Sequence, residues 1–374
     1  MLRTGYVYDE RMCKHENEAE DHPECPDRIK GIMREIRLNS LDKLMVHVPS
    51  REATIQELSK THKDSYINNL IEIMKLDQTK LFSEEKKFNS IYFNKHSLDA
   101  AKLAAGSIID LVDKVVSDEL SNGVAIIRPP GHHAEHNCAM GFCLFNNVAV
   151  VANVMMEKYT GLNRIAIIDW DVHHGNATQH MFYDDDRVLY ISLHRHDNGK
   201  FYPGGNDGSP SMVGTGKGKG KNINIAWSTN TPENIGDKEY IYAFHKIIIP
   251  VLKEYDPQLI LVSAGFDCAL GDPLGNLSVT PVGFEHMTAI LKDLQSNGKI
   301  VIALEGGYNI SAISRSMTAC TRILLGAKPV PIYIDANKIN KDCTRSINET
   351  IKEITPYWKC FDQSYCIPLD KLTV

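Results

Sequence analysis

No run of about 18 apolar residues occurs in the 374-residue chain, so no membrane-spanning helix is expected. The opening MLRTGYVYDE has no cationic stretch leading into an apolar core, which argues against a secretory leader. Positive charge is also short: 41 Lys and Arg face 47 Asp and Glu, a formal net charge of -6. Nucleic-acid binders are usually basic, so neither nucleic acid nor membrane is an expected partner. The nine cysteines are odd in number and contain no CxxC pair. With no leader, that usage points to reduced thiols inside a cell, and Cys138 and Cys143 read as small core residues rather than zinc ligands. Internal repeats and long linkers are missing. VGTGKGKGKNI (213–223) lacks the strand, GxxxxGK[ST] turn and helix of a phosphate loop, and reads as a solvated basic loop.

What is present is alternation. Five short β-branched runs recur: GVAII (123–127), RIAII (164–168), VLYIS (188–192), QLILV (258–262) and KIVIAL (299–304). Apolar residues at consecutive positions mark strands buried on both faces, as in a parallel sheet. NINIAW (222–227) is a sixth candidate. Helical spacing runs through 97–120, 146–159, 238–255, 280–296 and 311–326, several of these opening on Asn, Ser or Thr as caps. Strand and helix in turn predict an α/β fold. Residues 1–330 read as the main domain and 331–374 as an extension packed on it. After Gly326 no strong strand signal remains, and 340–361 reads as a terminal helix docked by Tyr357 and Trp358.

Each apolar run ends in ionisable groups. His132 and His133 follow the first; Asp169, Asp171, His173 and His174 the second; His194 and His196 the third; Asp267 the fourth; Glu305 and Tyr308 the fifth. Ligands of open α/β sheets bind at the carboxyl ends of strands, so these groups should converge. In an extended chain Asp169, Asp171 and His173 share one face. Asp171 and His173 can then grip one divalent cation with Asp267, leaving a coordination position open. The bland reading is a set of strand-end residues bonding to loop backbone. Beside a metal, His132 and His133 suit general acid–base work, because imidazole titrates near neutrality. Gly306 and Gly307 permit a sharp turn that could aim the Tyr308 phenol at a carbonyl oxygen; otherwise Tyr308 is an ordinary buried tyrosine.

RPPGHHAE, DWDVHHGNATQ, SLHRHDNGKFYPGG, SAGFDCALGDPLG and LEGGYN, in that order from about Thr4 to Trp358, resemble the zinc-dependent histone deacetylases, and more narrowly their class IIb branch. The resemblance implies the arginase/deacetylase fold, a single domain with an eight-stranded, mainly parallel sheet between helices, and 1–330 as its catalytic part. It implies hydrolysis of N-ε-acetyl-lysine in histone tails, tubulin or other cytoplasmic proteins, with hydroxamates as inhibitors. A monomeric catalytic domain in the cytoplasm, and also in the nucleus, is expected. One zinc would be held by Asp171, His173 and Asp267. His133 would be general base and then acid, His132 its electrostatic partner oriented by Asp169, Asn176 the orienter of His133, and Tyr308 the group polarising the acetyl carbonyl. Gly141, Phe142, Tyr202, Leu274 and Gly306 would line the lysine channel, and Ser90 would accept the substrate backbone N–H. Two structural potassium ions are implied, one at Asp169, Asp171, His173, Ser192 and Leu193, the other at Phe182, Asp185 and Val188.

Tyr308 is not the histidine of the weakly active class IIa enzymes, and Asn176 follows the class II pattern. Leu274 stands where a polyamine-deacetylating relative has a glutamate, so a polyamine cation finds no partner there. The chain departs from the pattern at Tyr202 (usually phenylalanine), His196 (usually another aromatic) and Ala177 (usually glycine). With no second catalytic domain or ubiquitin-binding finger, it reads as an excised domain or a short single-domain member. Alternatives left open are an acylpolyamine or other amide hydrolase, a catalytically inactive acetyl-lysine reader, and a two-metal ureohydrolase.

Overall fold

The computed structural model describes residues 3–294, 299–362 and 372–373. The end of the helix expected over 280–296, the tail of the extension, and Cys366 therefore lie outside the described residues. The fold is a single α/β domain built on one eight-stranded sheet. Its strands are β1 (Arg3–Val7), β2 (Val46–His47), β3 (Leu120–Ala125), β4 (Ile165–Asp169), β5 (Val188–Arg195), β6 (Asn222–Trp227), β7 (Leu259–Ala264) and β8 (Ile300–Leu304). They lie in the order β2-β1-β3-β8-β7-β4-β5-β6, and every pairing is parallel. All six strands expected from composition are there. In β4, β6, β7 and β8 every residue is buried, which is why β4, β7 and β8 read as apolar runs, while β6 buries Asn222 and Asn224 among its apolar residues. β1 and β2 escaped notice because RTGYV carries an arginine and a glycine, and β2 has only two residues.

Two rows of helices cover the sheet. One contains Ser97–Val116, Asn147–Lys158 and Asn176–Phe182; the other contains Asp27–Leu38, Ile310–Leu324, Pro281–Leu294 and Asp237–Ala243. Asn146 and Asn309 cap their helices by accepting from Ala149 N and Ala312 N, both at 3.0 Å. The helix expected over 238–255 is instead three pieces, Asp237–Ala243, a π turn at Phe244–Ile248, and Ile249–Tyr255. Pro250 has no N–H to give the preceding turn, so the ladder shifts there.

The terminal helix spans Lys341–Ile354 and packs on β6, with Thr350 Oγ1 donating to Asn224 O at 2.8 Å. Of the two residues expected to dock it, Trp358 is buried and donates to Gly220 O at 2.9 Å, whereas Tyr357 is 37% exposed. Both lie beyond the helix. Tyr333–Ile334, in a segment with no strong strand signal, pairs antiparallel with Leu372–Thr373. The glycine-rich loop is no free coil: Thr215 N bonds Tyr183 O at 2.8 Å and Lys217 N bonds Asp184 Oδ1 at 3.0 Å, while Lys217 and Lys219 stay exposed.

Candidate metal centre and its histidine pair

β3, β8, β7, β4 and β5 are consecutive in the sheet, so the polar groups that follow them meet at one edge. Asp171 and His173 follow β4, and Asp267 follows its neighbour β7. One ligand atom from each lies within 4.8 Å of the others, and all three residues are buried. The reason is not simple strand alternation. β4 ends at Asp169, and the next residues bend. The bend is held by carboxylates that accept from the backbone two residues ahead: Asp171 N donates to Asp169 Oδ1 at 3.1 Å and His173 N to Asp171 Oδ1 at 2.9 Å. These turns bring Asp171 and His173 together and send Asp169 toward His132.

The three residues fit a divalent cation. Two carboxylates and one imidazole form a borderline-hard donor set. His173 Nδ1 faces Asp171 Oδ1 and Asp267 Oδ2, each at 3.1 Å. The remaining oxygens are fixed by backbone: Gly306 N bonds Asp171 Oδ2 and Val172 N bonds Asp267 Oδ1, each at 2.8 Å. The cradle needs glycines. A Cβ on Gly265 would stand 2.0 Å from Asp171 Oδ2, and one on Gly306 2.3 Å from Asp267 Oδ2. Burial, then the charge of Asp171, pushes Asp267 up to about 7. Burial works against a charged His173, but its bonds to both carboxylates win and raise it to about 9. The pocket thus retains a proton where a cation would otherwise balance the acids.

The adjacent histidines have opposite surroundings. His132 Nδ1 lies 3.0 Å from Asp169 Oδ2, which also accepts from Tyr190 Oη at 2.9 Å. Burial opposes charge on His132, but Asp171 and Asp169 outweigh it and raise its pKa well above the ordinary value. His133 Nδ1 lies 2.7 Å from Asn176 Oδ1. Asn176 Nδ2 donates to Glu135 Oε1 at 2.6 Å, which fixes the amide oxygen toward His133. Burial, then the charges of His132 and His173, push His133 well below the usual range. One imidazole is therefore held charged and its neighbour neutral. His174 points elsewhere, bonding Gln179 Oε1 at 2.9 Å, with its ring tilted 47° to that of His194 at 4.7 Å.

Phe142 and Tyr202 stand close to these groups. The Tyr202 ring is 5.2 Å from His133 and 5.9 Å from His173, edge-on to both. Phe142 is edge-on to Tyr308 at 5.8 Å. Gly141, at φ +55, leaves room for His133 Cδ2 where a Cβ would approach to 2.5 Å. Ser90 is exposed and its carbonyl accepts Phe142 N at 2.9 Å. Leu274 is 37% exposed. Burial, then Asp267, pushes the Tyr308 phenol well above its usual pKa. Ser192 and Leu193 lie in β5, with Ser192 in register with Asp169. Phe182 and Asp185 precede that strand and Val188 opens it, with Asp185 N bonding Phe182 O at 3.1 Å.

Several supporting residues were given no role by the sequence. Glu305 Oε2 accepts Gly131 N at 2.6 Å and His132 N at 3.1 Å, pinning the histidine turn. Asp272 Oδ2 accepts Tyr308 N at 2.7 Å while its Oδ1 accepts Leu274 N and Gly275 N, tying the phenol's loop to the rim. The stretch EDHPECPDR (20–28) sends Glu24 and Arg28 into the core, both fully buried. Glu24 bridges Arg28 Nη1 at 2.9 Å and Arg128 Nη2 at 2.6 Å. Arg28 also donates to Gly307 O at 2.7 Å and to Glu305 O, so this cluster braces the loop that carries Tyr308. The four-residue spacing of Glu24 and Arg28 was the available signal; Pro23 and Pro26 masked it as loop.

Residues 22–324 match the histone deacetylase domain family model. The chain is 45% identical over 364 residues to histone deacetylase 5 of Arabidopsis thaliana, covering 95% of this chain and 54% of that protein. It is 41% identical over 370 residues to histone deacetylase clr3 of Schizosaccharomyces pombe (96% and 53%) and 40% identical over 390 residues to histone deacetylase 7 of Homo sapiens (98% and 40%). It thus spans about half the length of these relatives, or less. The crystal structure of HDA15 HD domain superposes with a TM-score of 0.87 at 37% identity, covering 97% of both chains.

Proposed function

The chain belongs to the histone deacetylase family, and on that premise we propose that it hydrolyses N-ε-acetyl-lysine in proteins with one zinc ion at Asp171, His173 and Asp267. The observation that carries this reading is the convergence of a three-ligand metal set with one charged and one neutral histidine at a single sheet edge. Zinc bound there supplies Lewis-acid polarisation of the acetyl oxygen and of the attacking water.

The side chains do the rest. The His133 Nδ1 proton is committed to Asn176, which leaves Nε2 as a base for the water proton. Water oxygen bonds to the acetyl carbon, and the carbonyl oxygen gains charge that the Tyr308 hydroxyl stabilises by donation. His133 then returns the proton to the lysine nitrogen as the C–N bond breaks, releasing acetate and free lysine. His132, held charged by Asp169, stabilises negative charge beside the reacting atoms without exchanging its proton.

Within the family we place the chain nearest the class IIb branch, in particular the second catalytic domain of histone deacetylase six. The reading rests on the sequence motifs, with Ser90 as acceptor of the substrate N–H. Acetylated histone tails and tubulin are the proposed substrates, in cytoplasm and nucleus, and hydroxamates the expected metal-directed inhibitors. Potassium is proposed at Asp169, Asp171, His173, Ser192 and Leu193, and at Phe182, Asp185 and Val188. The register of Asp169 with Ser192 supports the first of these. Residues 1–330 are proposed as the catalytic unit and 331–374 as its extension.

Acetate release from acetylated histone and tubulin peptides, with and without chelator, tests the activity. Tyr308→Phe is expected to lower kcat at least ~10²-fold with metal content unchanged. Turnover near that of the wild type in this variant would remove Tyr308 from the mechanism.

A further inference from the structure

Asn176 faces His133, but an amide cannot choose an imidazole tautomer alone. It presents an oxygen and an NH2 group in nearly the same shape, so it either accepts from a His133 Nδ1–H or donates to a bare Nδ1. The two cases leave opposite tautomers. Accepting keeps the proton on Nδ1 and leaves the Nε2 lone pair open. Donating leaves the proton on Nε2, where no base then remains. A histidine that is to take a proton is neutral and holds a single N–H, so the orientation of this one amide decides whether it can act.

The groups behind the amide settle that orientation. Asn176 Nδ2 donates to Glu135 Oε1 at 2.6 Å and lies 3.6 Å from Met140 Sδ. Both partners are acceptors, and a carboxylate has no proton to give. Turned about, the amide would set its oxygen against the carboxylate with no proton between them. Glu135 is itself held from three sides. His62 Nε2 accepts from Asn146 N at 2.9 Å, so the His62 proton is on Nδ1 and goes to Glu135 O, also at 2.9 Å. Glu135 N donates to Cys138 O at 2.9 Å. From the exposed side His180 Nδ1 donates to Glu135 Oε1 at 2.9 Å, the same oxygen that Asn176 uses.

We propose that Glu135 is a positioning residue for the reaction: as an acceptor that cannot donate, it locks the Asn176 amide in the orientation that gives His133 a free Nε2, and His62 and His180 hold it in place. Asn176 transmits the choice and Glu135 makes it. This rests on the deacetylase reading above and names what sets the tautomer of its base.

The test uses metal-loaded protein, an acetyl-lysine peptide, and isotope-labelled histidine whose ring nitrogens report the tautomer by NMR. Glu135→Gln keeps the length of the side chain but can donate or accept, so it admits both amide orientations. Its kcat is expected to fall about 2–5-fold with KM and metal content unchanged. The His133 signal, assigned by its loss in His133→Gln, should then show the Nε2–H form beside the Nδ1–H form. Asn176→Asp sets two carboxylates face to face and is expected to lower kcat about 10-fold. In that background Glu135→Gln supplies the missing donor, and kcat is expected to recover about 5-fold or more. A residue that only braces the fold would lose kcat in both backgrounds. Unfolding midpoints confirm that each variant is folded. Loss of kcat in both backgrounds, or a single Nδ1–H tautomer in Glu135→Gln, overturns the proposal. Wild-type protein that releases no acetate overturns the deacetylase reading, and the proposal with it.

Discussion

Two ionic clusters are buried close together in this molecule, and they solve the problem of burial differently. In one, Glu24 lies between Arg28 and Arg128, with further bonds from Arg128 to Met12 O, His15 O and Tyr92 Oη. Burial opposes the Glu24 charge, yet the two guanidiniums hold its carboxyl well below the usual range. Its charge is matched from within the chain. In the other, Asp171 and Asp267 share the His173 imidazole and Asp171 also neighbours His132, yet Asp267 climbs to about 7. That second cluster is short of positive charge. The first is a brace complete in itself; the second is complete only with a cation from outside.

The largest effect is expected from breaking the complete cluster. Glu24→Gln keeps the shape but leaves two buried guanidiniums without a counter-charge, a loss of about 3–5 kcal/mol in unfolding free energy. Urea unfolding of the metal-free protein measures it, and a loss under about 1 kcal/mol would mean that the arginines find other partners. The incomplete cluster should respond the other way. Asp267→Asn retains an acceptor for Val172 N–H and removes one of two repelling carboxylates. Metal content and turnover should collapse together, while the metal-free variant unfolds at the same or higher urea than metal-free wild type. A metal-free variant markedly less stable than wild type would show Asp267 to be a structural brace as well.

The two clusters also differ in how far the sequence reveals them. The metal set was legible because Asp171, His173 and Asp267 directly follow apolar runs that could only be buried strands. The sheet order then puts β4 beside β7. The histidine pair was legible for the same reason, and the Asn176 link came from family resemblance rather than spacing. The brace was not legible. Glu24 and Arg128 are 104 residues apart, and the four-residue spacing of Glu24 and Arg28 is equally that of a surface pair, so it does not mark a charge bound for the core. Long-range pairing also hid Asp272, whose bond to Tyr308 N joins two separate loops. β1 and β2 were missed because RTGYV and a two-residue edge strand carry too few apolar residues to register a pattern.

The last prediction compares one histidine from each cluster. His15 Nε2 is 3.7 Å from Glu24, and His173 Nδ1 is 3.1 Å from Asp171 and Asp267, so each neighbours a buried carboxylate. Yet burial and then Arg128 push His15 down to about 3, whereas His173 rises to about 9. The sign of the surplus charge around each decides the outcome. Between about pH 3 and 6.5 the unfolded chain protonates His15 and the native chain does not. Stability is therefore fully present above 6.5 and is lost as pH falls, by up to ~1.4 kcal/mol per pH unit from this group. His15→Asn can keep a partner for Ser97 Oγ, which lies 2.8 Å from His15 Nδ1. Its stability should fall less steeply than that of the wild type across this window, and the two curves should run parallel above about pH 7.5. Urea unfolding across pH 4–8 reads the slopes directly. Equal slopes below pH 6.5 would mean that His15 is charged beside Glu24 after all, and the contrast between the two clusters would then rest on the carboxylates alone.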